Sequence, residues 1–244
     1  MLSADELDAL TVPITELYEK YMVSVIEDMA RRLSKMGMSE ATAWQMQRLT
    51  ESGAVFENAL KELAKITGQS EAVLKETFEK AGVTSMRFDD AIYRKAGLKP
   101  MPLNLSPAMQ DVMIAGFTKT GGIMSNLTMT TALDAQLQFT NAADLAYMQV
   151  STGAMSYNQA IKQAVRGFGE SGLFVHYPSG HRDRLDVAMR RTVLTGVSQT
   201  TSQLQLARMD EMGVDLVQVS AHIGARESHQ SFQGKVFALN GFTA

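Results

Sequence analysis

The chain reads as a mainly α protein with a C-terminal α+β module. Three observations carry that reading. Apolar residues recur at three- and four-residue spacing through the first hundred positions. The stretch 101–165 continues the helical pattern with few breakers. Only after residue 172 do short alternating, β-branched runs occur.

The elements follow in order. Residues 13–36 form an amphipathic helix, with Ile14, Leu17, Tyr18, Tyr21, Val25, Met29, Leu33 and Met36 on one face. Pro13 suits its first turn and Gly37 its stop. Ser39 caps a second helix carrying Trp44, Leu49, Phe56, Leu60, Leu63 and Ile66, ending at Thr67-Gly68. Ser70 opens a shorter one to Ala81-Gly82, and another runs from Phe88 to Ala96-Gly97. Lys99-Pro100-Met101-Pro102 is the clearest break. Ser106-Pro107 then caps a helix to Thr120, stopped by Gly121-Gly122, and a further helix covers 126–150. Ser156 caps one more, to Gly167. Leu173–Tyr177 is a strand before the turn Pro178-Ser179-Gly180, and a long helix covers 185–209. Gly213 precedes a half-buried strand over 214–220, and 235–239 forms the last strand, with no return partner expected in this chain. The expected organisation is a helical region over 1–100, a low-charge helical region over 101–172 and an α+β module over 173–244 that continues past the final residue.

Composition excludes several functions. Among 244 residues there is no cysteine, so disulfide frameworks and thiolate metal sites are ruled out. Net charge is −3, which argues against a globally basic nucleic-acid coat. The acidic start Met1–Asp8 lacks the basic and apolar segments of a secretory signal. No apolar run approaches the roughly 18 residues that span a bilayer, so no membrane partner is expected. The 17 methionines suit either an irregular core or a surface that packs against several neighbours. Residues 101–165 hold only five charged side chains, Asp111, Lys119, Asp134, Asp144 and Lys162. A solvated helical surface carries many more, so this stretch is buried within the fold or against a partner.

Two clusters could carry chemistry. In the first, His222, Arg226 and His229 would share one face if 222–229 were helical. Two imidazoles with Glu227 could hold a metal, or act as acid and base around an arginine-bound anion. They could equally hydrogen-bond the backbone of an irregular loop. Gln233-Gly234 supplies a tight turn into the last strand. The second cluster is basic: Arg182, Arg184, Arg190 and Arg191, with His176 and His181, partly offset by Asp183 and Asp186. It could meet nucleic-acid phosphates or an acidic protein surface. Gly167-Phe168-Gly169-Glu170-Ser171-Gly172 fits the spacing of a dinucleotide loop but precedes a strand instead of following one, and is rejected. No complete catalytic motif, metal set or cofactor site is present.

One resemblance adds to this. His176-Tyr177-Pro178-Ser179-Gly180, Arg182, Leu185-Asp186-Val187-Ala188 and Arg190-Arg191 form its first part. Val219-Ser220-Ala221-His222, Gly224-Ala225-Arg226, His229 and Gln233–Phe237 form the second. Together they resemble the phage minor capsid protein 2 family, related in role to the Mu F-type head morphogenesis proteins. Glu227 stands where the family pattern has proline, and Phe232 where it has tryptophan. The resemblance is specific over 173–238. It implies a minor capsid protein inside the head of a tailed phage, assembled in the host cytoplasm and bound at the portal vertex. Its implied partners are the portal protein and sibling copies, with the major capsid protein and packaged DNA as further ones. The implied work is head assembly, DNA packaging or DNA delivery, with His222, Arg226, His229, Gln233 and Gly234 fixing the module or contacting a partner. The alternative is a metal-dependent or nucleotide-acting enzyme using His222 and His229.

Overall fold

The computed structural model describes residues 2–37, 39–221 and 223–239. Five long helices, α1 (Ala4–Lys35), α2 (Ala41–Lys95), α3 (Pro107–Ser151), α4 (Tyr157–Ser171) and α5 (Leu185–Glu211), pack around one large hydrophobic cluster. Strands β1 (Phe174–His176) and β2 (Arg182–Arg184) precede α5; β3 (Leu216–Gln218), the short helix α6 (Glu227–Gln230) and β4 (Val236–Ala238) follow it.

Helix α1 starts nine residues before the expected position. Ser3 and Glu6 form a capping box: the Glu6 N–H donates to Ser3 Oγ at 3.2 Å, and the Ser3 N–H to Glu6 Oε2 at 2.8 Å. Pro13 therefore lies inside the helix, where it costs one ladder hydrogen bond. The predicted apolar stripe is buried at Ile14, Tyr18, Tyr21, Val25, Met29, Leu33 and Met36, while Leu17 is half-buried at its edge.

Three helices expected over 39–97 are one continuous helix, α2, and the two expected over 107–150 are one, α3. The reason is conformational. A glycine ends a helix only where it turns left-handed. Gly97 does so (φ +83°), but Gly68, Gly82, Gly121 and Gly122 do not. Two glycines instead let α3 and α5 meet closely. A Cβ on Gly116 would overlap the side chain of Thr200, and one on Gly196 would overlap Thr120. The prolines at 100 and 102 break the chain as expected, and Ser106 caps α3.

α3 also answers how a charge-poor helix is built. One face is buried, through Met109, Met124, Ala132, Ala135, Phe139 and Ala143. Two of its buried threonines bond back to their own helix: Thr128 Oγ1 donates to the Met124 carbonyl at 2.7 Å, and Thr131 Oγ1 to that of Leu127 at 3.0 Å. α4 carries the expected Ser156 cap but extends to Ser171, with Gly172 (φ +71°) closing it, so Gly167 and Gly169 are ordinary helical residues.

The β structure is two separate antiparallel hairpins. β1 pairs with β2 in the register Phe174↔Arg184, Val175↔Asp183, His176↔Arg182. Arg182–Arg184, read as the approach to a helix, is thus a strand. β3 pairs with β4 (Val217↔Phe237), so the Val236 strand finds its partner upstream, contrary to expectation. The β1–β2 hairpin packs on α3 and α5, whereas the β3–β4 hairpin touches no other described element.

Candidate functional site

The basic cluster is built on the β1–β2 hairpin and the first turns of α5. Asp134 of α3 organises it from below. This carboxylate is buried, accepts from the Phe174 N–H at 2.9 Å and Gln138 Nε2 at 2.7 Å, and lies 2.7 Å from His176 Nε2. Gln138 Nε2 also donates to the Gly172 carbonyl at 3.0 Å. Sequence reading did not assign Asp134 a role, although a lone acid in a charge-poor stretch was the available signal.

Asp183 organises the upper side. It lies 2.9 Å from His181 Nε2 and pairs with Arg191. Burial pushes its carboxyl up, but the His181 hydrogen bond and the Arg191 charge outweigh that and hold it below the usual range. Arg191 also donates to Tyr177 Oη at 3.0 Å, and Tyr177 stacks on His181. Arg184 pairs with Asp186 at 3.1 Å, and Arg190 with Asp8 of α1 at 2.6 Å. Arg182 lies over the Phe174 ring at 4.7 Å. Three of the four arginines are thus committed to internal carboxylates. What they do chemically is tie α1, the hairpin and α5 together.

The second cluster lies in the connection between β3 and β4. Of the two conformations left open for this segment, the described residues favour the irregular one: 223–224 form a turn, and only Glu227–Gln230 is helical. His222 lies outside the described residues, so the shared face with Arg226 and His229 has no geometry here. Arg226 caps α6 through its backbone carbonyl, which accepts from the His229 N–H at 2.7 Å. The side chains of Arg226 and His229 are exposed, with no hydrogen-bond or ionic partner among the described residues. Gly234 (φ +71°) makes the turn into β4, its N–H donating to the Val219 carbonyl at 2.9 Å, while the Val219 N–H donates to Lys235 O at 2.9 Å. Among the described residues, no group of three or more His, Asp or Glu side chains is placed to hold a metal ion.

The two clusters stay apart: one is welded into the helical body and the other stands on the free hairpin. Around the hairpin the exposed apolar side chains accumulate, with Leu216, Phe232, Val236 and Leu239 each about half exposed.

A model of the family described as phage minor capsid protein 2 matches residues 2–244. The chain belongs to the phage minor capsid protein 2 family. The match spans the helical body as well as the region 173–238 on which the resemblance rested. No curated protein and no solved structure matches the chain. Membership makes the chain a structural capsid protein of a bacteriophage and a component of its virion. No helix among the described residues is long and apolar enough to cross a membrane.

Proposed function

We propose that this minor capsid protein sits at the portal vertex inside the head, where it binds the portal protein and sibling copies and assists assembly, DNA packaging or delivery. The observation that supports this reading is the outer face of α3. Eleven residues between 122 and 148 are exposed, and none of them is charged. Six are large and apolar: Ile123, Met129, Leu133, Leu137, Leu145 and Met148, each between 42% and 57% exposed. At about 100° per residue they fall within one half of the helix circumference. A contiguous apolar surface of this kind marks a protein contact, and depletion of charge marks the centre of one. α3 runs for 45 residues, or roughly 65 Å, long enough to lie along a neighbouring subunit.

The free hairpin is the second docking element in this proposal. Arg226 and His229 are presented outward with exposed apolar neighbours, a composition that fits partner contact better than support of the module's own fold. The arginines 182, 184, 190 and 191 take a structural part, and phosphate contact falls to Arg182. An enzymatic role gains nothing from the geometry.

The test is mixing the purified chain with the portal oligomer, followed by size and mass analysis. A stoichiometric complex is expected, lost in Leu133→Glu with Leu137→Glu. A free, monodisperse chain beside the intact portal oligomer would overturn the proposal.

A further inference from the structure

We propose that a second copy of this chain covers the C-terminal half of the outer face of α3, through a two-fold antiparallel contact centred on Asn141. The inference rests on the proposed reading of that face as a contact surface and names its occupant. The observation that carries it is a palindrome. Leu133, Leu137, Asn141, Leu145 and Met148 follow one another at four- and three-residue spacing, so they form one row along α3. The four apolar side chains are each about half exposed, and Asn141 is exposed as well. Outward from Asn141 the row reads leucine, then another large apolar side chain, in both directions. A helix laid antiparallel on its own copy about Asn141 therefore sets Leu137 against Leu145 of the second copy, and Leu133 near its Met148, twice over. Rows at four-residue spacing interdigitate with one another in the commonest class of helix packing. A receiving surface lies beside the row. Leu137, Asn141 and Leu145 form one wall of a groove of about 940 Å³, and α4 forms the other through Gln163, Ala164 and Gly167. Each copy thus supplies both ridge and groove, as an isologous contact needs.

Asn141 decides for a second copy over an unrelated apolar surface. Its amide has no hydrogen-bond partner among the described residues, so burial against a purely apolar partner would leave donor and acceptor unpaired. On a two-fold axis the amide of one copy donates to and accepts from the amide of the other. A single asparagine in an apolar seam also fixes register and partner number. Charge agrees with self-association. Asp144, beside the row, is neutralised by Arg48 of α2, and Arg166 on the α4 wall pairs with Glu170 at 2.6 Å, so like charges do not meet unneutralised. A seam one helix wide and roughly 22 Å long falls short of the roughly 1,200 Å² of a stable interface. Pairs therefore form where copies are concentrated, as in the head, and not in dilute solution.

The chain has no cysteine, so a single introduced thiol reports the contact without ambiguity. Heads carrying Asn141→Cys, treated with a diffusible oxidant, should give a disulfide-linked dimer of this chain on a non-reducing gel. Ser125→Cys, exposed on the same helix but roughly 24 Å along it from the axis, should give none. Adding Leu145→Glu to Asn141→Cys should slow dimer formation at least tenfold and leave the melting temperature of the purified chain unchanged, because Leu145 is a surface residue. Orientation is read by mixing purified Leu137→Cys and Leu145→Cys chains at high concentration: they should link to each other faster than either links to itself. Faster self-linking would overturn the antiparallel contact. Absence of the Asn141→Cys dimer in heads where Met129 and Met148 are protected from oxidation would overturn the second copy as occupant and leave the face to the portal. Met129 and Met148 oxidised as fast in heads as in the isolated chain would defeat the underlying reading of the face as well.

Discussion

The helical body and the β3–β4 hairpin use apolar side chains in opposite ways. In the body, Ile14, Met29, Leu33, Phe139, Met189 and Val193 are fully buried. In the hairpin no described residue from 213 to 239 is buried, although Leu216, Ile223, Phe232, Val236, Phe237 and Leu239 are all apolar. The body stabilises itself by removing surface from water. The hairpin is held by its ladder and turn hydrogen bonds, and its apolar groups are left exposed. In the proposed reading, the chain separates what folds it from what it offers to neighbours, and the outer face of α3 belongs with the second category.

Substitutions should separate the two regions sharply. Phe139→Ala in the body should cost about 3–5 kcal/mol in chemical denaturation, whereas Phe232→Ala in the hairpin should cost less than about 1 kcal/mol. Equal losses would break the distinction. Next in size is the α3–α5 crossing. Gly196→Ala forces a Cβ onto Thr120 and should destabilise by about 1–3 kcal/mol. Gly122→Ala, in open space on the same pair's outer side, should stabilise by roughly 0.5–1 kcal/mol through the unfolded chain. Hydrogen exchange gives a third contrast. The Val219 and Gly234 amides should exchange far faster than those of Phe139 or Val193, since the hairpin opens without disturbing the core.

The smallest effect concerns pH. Asp183 has a folded pKa below its ordinary 3.8, so it contributes stability above that value and loses it as pH falls through the lower folded one. Acid should therefore loosen the β1–β2 hairpin from α5 in the wild type. Asp183→Asn should show a flatter profile over the same window in a pH series of melting curves.

Much of the fold was legible because periodicity survives burial. The stripe of α1, the caps at Ser106 and Ser156, the proline break and the strands at 174–176, 216–218 and 236–238 all follow from local chemistry. The helix lengths were not legible. Gly68 and Gly121-Gly122 look like stops, but none of them turns left-handed and each continues its helix, and sequence alone does not reveal φ. The Ser3–Glu6 box was readable and outranks Pro13 as a start signal. For the candidate site, sequence identified the arginines and the Arg226–His229 segment but not their partners. Pairs such as Arg190–Asp8 and His176–Asp134 join distant positions, so only the fold brings them together.

The central claim is that the exposed apolar face of α3 is covered in the phage head. Oxidative footprinting reads it directly through Met129 and Met148, which are 44% and 56% exposed. In the isolated chain both should convert readily to the sulfoxide, while Met29 and Met189, with no exposure, stay unmodified. In assembled heads Met129 and Met148 should become at least several-fold slower to oxidise. Rates in heads that match those of the isolated chain would contradict the account.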